Sequence, residues 1–141
     1  MLKNINIMGK GSVSGGEYRN IRVLGSGKFL DRVKAEKLTI YGSAEIWDIE
    51  IVEVKVFGSA KFKGNISAHS ISVSGSAEFY GKIKSNNLVV NGYLKANQEI
   101  ETETFTARGA FDIGSLNAND VEIFLNERSS VKEIGAESVR V

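Results

Sequence analysis

A chain of 141 residues, 42% apolar and 25% charged, has the size and balance of one ordinary domain. Its net charge of +1 gives no reason to expect nucleic acid or an anionic membrane as partner. With no cysteine it can build neither a disulfide framework nor thiolate chemistry, and no apolar run reaches signal-peptide length or the ~20 residues of a membrane span. Glycine, at 15 residues, is abundant and proline is absent. Proline cannot donate a ladder hydrogen bond, so a chain made almost wholly of strands paired on both sides would lose it everywhere.

Along the chain, two apolar residues alternating with polar ones are followed again and again by a glycine. Aligning on it gives Gly9, Gly25, Gly42, Gly58, Gly75, Gly92 and Gly109, with Leu125 in the eighth place; the spacings are 16 or 17 residues. Alternation of period two within each unit predicts strands. The stretch before the glycine supplies Ile21/Val23, Leu38/Ile40, Val54/Val56, Ile71/Val73 and Leu88/Val90. The stretch after it supplies a small and then a large residue: Gly27/Phe29, Ala44/Ile46, Ala60/Phe62, Ala77/Phe79. A third supplies Val33/Ala35, Ile49/Ile51, Ile66/Ala68, Ile83/Ser85 and Ile100/Thr102.

Three strands and three corners per unit describe one coil of an all-β parallel β-helix, a solenoid whose inner face is buried only by stacking neighbours. The expectation is a single domain over residues 1–141 with about eight coils, regular over 4–118 and irregular in a terminal coil over 119–141. No strict hexapeptide holds, which favours a right-handed coil. Gly15, Gly64, Gly81 and Gly114 fall at the second corner, where positive φ or the lack of a side chain is expected.

Three residues after the aligned position, Lys28, Glu45, Lys61, Glu78, Lys95, Asp112 and Arg128 alternate in sign, as a ladder of stacked outward charges would. Volumes compensate as a packed interior requires: where Leu94 takes a small place Ala96 takes the large one, and where Phe111 enters, Ala107 replaces the usual Val or Ile. The last coil, "EIFLNERSSVKEIG", loses its glycine and puts Glu127 and Ser129 at inward places. Val139 and Val141 then read as the first strand of a further coil.

Little in the chain suggests chemistry. His69 is the single histidine, and catalytic or metal-binding histidines need convergent partners. The trimeric β-helix carbonic anhydrases need several, and the β-helix acyltransferases need a hexapeptide scaffold. The "GSG" and "GSA" triplets lead into strands, whereas phosphate loops lead into a helix N-terminus. No catalytic, metal or cofactor site is expected, and no enzyme. The outward apolar residues are more informative. Met8, Leu24, Tyr41 and Phe57 stack in consecutive coils before the file turns polar at Ser74, Asn91 and Arg108. This stripe reads either as an interface or as local packing. A second file, Leu30, Trp47, Lys63 and Tyr80, puts a lysine between two aromatic rings, where a cation–π contact is expected.

The stretch "FGSAKFKGNISAHSISVSGSAEFYGKIKSNNLVVNG", residues 57–92, resembles the bactofilins, bacterial polymer-forming cytoskeletal proteins, and the similar pattern extends over residues 4 to about 118. The resemblance implies a right-handed β-helix that polymerises end to end without nucleotide or any cofactor. It implies a cytoplasmic scaffold for envelope, shape or motility functions, held at the inner face of the membrane through partners. Those partners would be the chain itself first, then a paralogue or envelope and motility proteins. The disordered proline-rich tails and apolar N-terminal membrane tail of some bactofilins have no counterpart here, so no direct membrane insertion is expected.

Strand one begins at Asn4 and the chain stops in "VRV", so both coil ends are expected to be open, with Ile5 and Ile7 at one and Ile134, Val139 and Val141 at the other. The alternative expectation is a monomeric or dimeric β-solenoid binding module, adhesin-like, that uses the Met8 to Phe57 stripe.

Overall fold

The structure, a computed structural model, describes residues 3–124 and 130–140. Among the described residues the alternating sequence, free of proline, forms strands and no helix. Long strands β1 (Lys3–Ile7), β3 (Gly16–Val23), β5 (Val33–Ile40), β7 (Ile49–Val56), β9 (Ile66–Val73) and β11 (Ile83–Val90) interleave with short ones, β2 (Lys10–Val13), β4 (Ser26–Phe29), β6 (Ser43–Ile46), β8 (Ser59–Phe62) and β10 (Ser76–Phe79). The chain continues through β12 (Tyr93–Ala107), β13 (Ala110–Ile123) and β14 (Ser130–Arg140). Long strands pair in parallel with long, and short with short, one coil apart: Leu38 with Val54 and Val54 with Ile71, Ala44 with Ala60 and Ala60 with Ala77. The result is a β-solenoid of about seven turns, ~17 residues each, in a single domain. Leu125, the eighth aligned residue, lies outside the described residues, as do Glu127, Arg128, Ser129 and Val141.

The three inward pairs per coil are present, but they do not occupy three separate strands. In β5, Val33 and Ala35 point inward, Glu36 and Lys37 both point outward, and Leu38 and Ile40 point inward again. The third stretch of one unit and the first of the next thus form one unbroken ladder, and the corner between them is a single slip in the alternation. In β12 and β13 the second stretch joins as well. The corner there is a register shift between Ala96 and Glu99.

The interior is an apolar column. Phe62 and Phe79 stack with ring centroids 4.5 Å apart, and Phe105 meets Phe111 edge to face at 5.6 Å. Leu94, Ala96, Ala107 and Phe111 are all buried, so the exchange of large and small side chains fills the same column. Each fully buried Phe, Leu or Ile contributes roughly 1.5–3 kcal/mol. Among the described residues two polar side chains share the interior, and they satisfy each other: Ser85 Oγ donates to Thr102 Oγ1 at 3.0 Å, and Thr102 Oγ1 donates to the Thr104 carbonyl at 3.1 Å.

The aligned glycines are required by space. A Cβ at Gly42, Gly58, Gly75, Gly92 or Gly109 would overlap the carbonyl oxygen of the glycine one coil earlier. Two successive amides share one acceptor at this corner, as Tyr41 and Gly42 do on the Val23 carbonyl at 2.8 and 3.2 Å. At the second corner the ground that holds at Gly64 and Gly81 is the lack of a side chain, and not positive φ. Among the described residues only Gly9 and Gly16 have it, and Gly15, Gly64, Gly81 and Gly114 do not. Gly64 and Gly81 are held by crowding against Asp48 and Gly64, whereas a Cβ at Gly114 would meet nothing nearer than 3.6 Å. Side chains also supply acceptors along this corner: the Asn65 amide donates to Asp48 Oδ1 at 2.8 Å and the Lys82 amide to Asn65 Oδ1 at 2.9 Å.

Candidate assembly surfaces

The two coil ends differ. At the C-terminal end Ile134 continues the inward file of Leu116, and Val139 that of Val121. Leu116 and Val121 are buried, yet Ile134 is 40% and Val139 49% exposed. At the N-terminal end Ile5 pairs with Ile21 and Ile7 with Val23. Ile5 is half-buried, but Ile7 and Val13 are buried. The apolar residues of the N-terminal end are thus better covered than those of the C-terminal end. Ile7 leans into room left by two glycines: its Cγ2 and Cδ1 would stand 3.1 and 3.0 Å from a Cβ at Gly11 and Gly27. Tyr18, at an inward place, packs against the same core and donates its hydroxyl to the Ser14 carbonyl at 2.9 Å. Among the described residues, β1, β2 and β14 each have a hydrogen-bonded neighbour strand on one side only.

The first outward stripe forms as expected. Met8, Leu24, Tyr41 and Phe57 are exposed and follow one another coil by coil. The Tyr41 and Phe57 rings stack 5.3 Å apart, 11° from parallel, and the Arg22 guanidinium lies 5.9 Å from the Tyr41 centroid. Beyond Arg108 the file becomes apolar again at Phe124, whose ring the Arg108 guanidinium covers at 5.3 Å. In the second file Lys63 Nζ sits 5.7 Å from the Trp47 centroid. Tyr80 turns away to donate to Glu78 at 2.5 Å, and this bond, ahead of burial and the Glu78 charge, holds its phenol above the usual range.

The charge ladder is in register from Lys28 through Glu45, Lys61, Glu78 and Lys95 to Asp112. Asp112 then pairs with Ser130, so the expected seventh rung at Arg128 does not follow in that register. Glu45 also reaches sideways, to Lys63 at 2.9 Å. The hydrogen bond from Lys63 leads in lowering its carboxyl below the usual value, and the charges of Lys63, Lys28 and Lys61 add to it against partial desolvation.

A second pair of charged files was not singled out from the sequence. Glu17, Lys34, Glu50, Ser67, Lys84, Glu101 and Asn117 stack in register on the long strands. Beside them Arg32, Asp48, Asn65, Lys82 and Glu99 run up the second corner, each just before the paired residues Val33, Ile49, Ile66, Ile83 and Ile100. The two files flank an open trough of about 600 Å³. Their spacing of 16 or 17 residues was the available signal, masked by the neutral Asn65 and Ser67 in the middle.

His69 is exposed on β9, and its Nδ1 lies 3.0 Å from Asn86 Nδ2 in the next coil. Among the described residues no group of three or more His, Cys, Asp or Glu could hold a metal ion, and no helix is long and apolar enough to cross a membrane. Comparison with protein-family models, with curated proteins and with solved structures returns no match.

Proposed function

We propose that this chain is a bactofilin-like structural scaffold, neither enzyme nor cofactor-binding protein, that assembles end to end in the cytoplasm without nucleotide. The observation that carries the reading is the exposure of Ile134 and Val139 at inward places whose neighbours one coil earlier are fully buried. An added coil would bury them and pair the free edge of β14, so apolar burial and backbone hydrogen bonding together supply the drive. The parallel solenoid supports such growth because a second subunit can continue its ladders and apolar column. The resemblance in the repeat points the same way. Envelope or motility proteins and a paralogue remain the further partners of this reading.

Electron microscopy of the purified full chain, without nucleotide, tests it. Long particles of solenoid width are expected at tens of micromolar. A monodisperse monomer in sedimentation at that concentration overturns the reading. The second reading, a monomeric binding module, then takes its place. It draws on the stacked, half-exposed pair Tyr41 and Phe57, and a change of both to Ser should then abolish partner capture without unfolding the chain.

A further inference from the structure

The trough described above carries charge in bands. Going up the solenoid, successive coils present Arg32 and Lys34, then Asp48 and Glu50, then Asn65 and Ser67, then Lys82 and Lys84, then Glu99 and Glu101. All of these residues are exposed. Within a coil the two files carry the same sign. A surface arranged only for its own neutrality would alternate across the trough as well as along it, because like charges side by side are destabilising. These bands are poorly used internally. Among the described residues the one ion pair within this set joins Arg32 and Glu50 at 3.5 Å, between largely exposed side chains.

The order is positive, negative, neutral, positive, negative, and its sign inverts about the neutral coil. A two-fold axis through Asn65 and Ser67, lying in the contact plane and perpendicular to the solenoid axis, would bring each band against its opposite. Lys82 meets Asp48 of a second copy, Lys84 meets Glu50, Glu99 meets Arg32 and Glu101 meets Lys34, each pair occurring twice by symmetry. Beyond the bands Glu17 meets the neutral Asn117, so no like charges oppose. The side-by-side parallel arrangement, with its two-fold axis along the solenoid, does the reverse: Lys82 meets Lys84 and Asp48 meets Glu50, and charged coils repel throughout. Electrostatic complementarity of this kind selects register and orientation more than it supplies affinity.

We propose that this face is a lateral self-association surface on which a second copy of the chain docks antiparallel, centred on Asn65 and Ser67. The contact is wet and rim-like, so it is reversible and strongly salt-dependent. It is independent of the coil ends: a chain that does not polymerise can still pair through its middle, and pairing here would join two filaments side by side in opposite senses.

The chain has no cysteine, so Ser67→Cys introduces a single thiol at the centre of the contact. Treated with a short thiol cross-linker, this variant should give a linked dimer at about 0.01 M salt, where charges act over ~30 Å. The linked fraction should fall by an order of magnitude at about 1 M, where they act over ~3 Å. Adding Lys84→Glu should cut linking several-fold, with the β-type circular dichroism unchanged. Adding Glu50→Lys to that same chain, which keeps Asp48 as acceptor for the Asn65 amide, should restore it, and two chains carrying Lys84→Glu and Glu50→Lys separately should link to each other in preference to themselves. No linking at low salt, linking indifferent to the reversals, or failure of the swapped chain to recover would each overturn the proposal. End-to-end contacts cannot bring two mid-solenoid residues together, so this outcome is separable from that of the filament test.

Discussion

The first and last coils hold apolar residues at the same inward places, and each has a free strand edge, yet those side chains are buried at one end and exposed at the other. Ile7 is buried because Gly11 and Gly27 leave room for it to lean inward, and Tyr18 fills the next inward place with a ring. At the far end Ile134 and Val139 continue the files of Leu116 and Val121, and they remain exposed. The difference teaches that register alone does not decide burial in a solenoid. The side chains of an end coil are covered by local volume, small residues beneath and one large residue across, and a coil lacking that exchange leaves its inward residues exposed.

The same substitution at the two ends should therefore give opposite results. Ile7→Asp buries a carboxylate and should cost on the order of 3 kcal/mol or more in denaturant unfolding. Val139→Asp should change stability by no more than about 0.5 kcal/mol while preventing long particles from forming. Equal losses at both ends would break the comparison.

Gly27→Ala tests the fit beneath Ile7. The new methyl would meet Ile7 Cδ1 at 3.0 Å and Val23 Cγ1 at 3.3 Å, so a loss of about 1 kcal/mol is expected. In an Ile7→Val background, which lacks Cδ1, the loss should shrink. An unchanged loss there would put the strain elsewhere. Tyr18→Phe keeps the ring and removes only the bond to the Ser14 carbonyl, with an expected change of about 0.5 kcal/mol; a larger one would mean that the hydroxyl, and not the ring, supplies the cover.

The smallest effect belongs to neither end and serves as the control. Glu45 in mid-solenoid has a carboxyl lowered from 4.5, chiefly by the Lys63 hydrogen bond. Its stabilisation is present above that unfolded value and is lost as the pH falls through the lower folded one. Lys63→Met should flatten this part of an acid unfolding curve and leave the neutral-pH behaviour of both ends alone.

Much of this was legible because a coil of 16 or 17 residues converts stacking into sequence spacing. The inward pairs, the six-rung charge ladder and the Tyr41–Phe57 stripe all lie in register where the repeat put them. What was not legible depends on the third dimension within a coil. The fusion of two stretches into one strand, as in β5, leaves the alternation slip as its single trace. The aligned glycines marked the repeat without a stated reason, and Gly42 and Gly58 are needed because two backbones touch across coils, a distance no single unit contains. The burial of Ile7 escaped notice because Ile7 and Gly27 lie 20 residues apart and match only as volumes. Asp48 and Asn65 carry no signal of their own in the sequence, and only the folded chain reveals that each accepts an amide of the next coil.

The uniform pairing distance also bears on how the chain reaches this state. Every strand contacts residues one coil away, so the typical contact separation is about 0.12 of the chain length, nearer the mixed α/β range than that of β-sandwiches. Each added coil closes a loop of the same length at the same entropic cost, whichever coil formed first. Folding can therefore start at any stable pair of coils and spread in both directions, each new coil extending the same front.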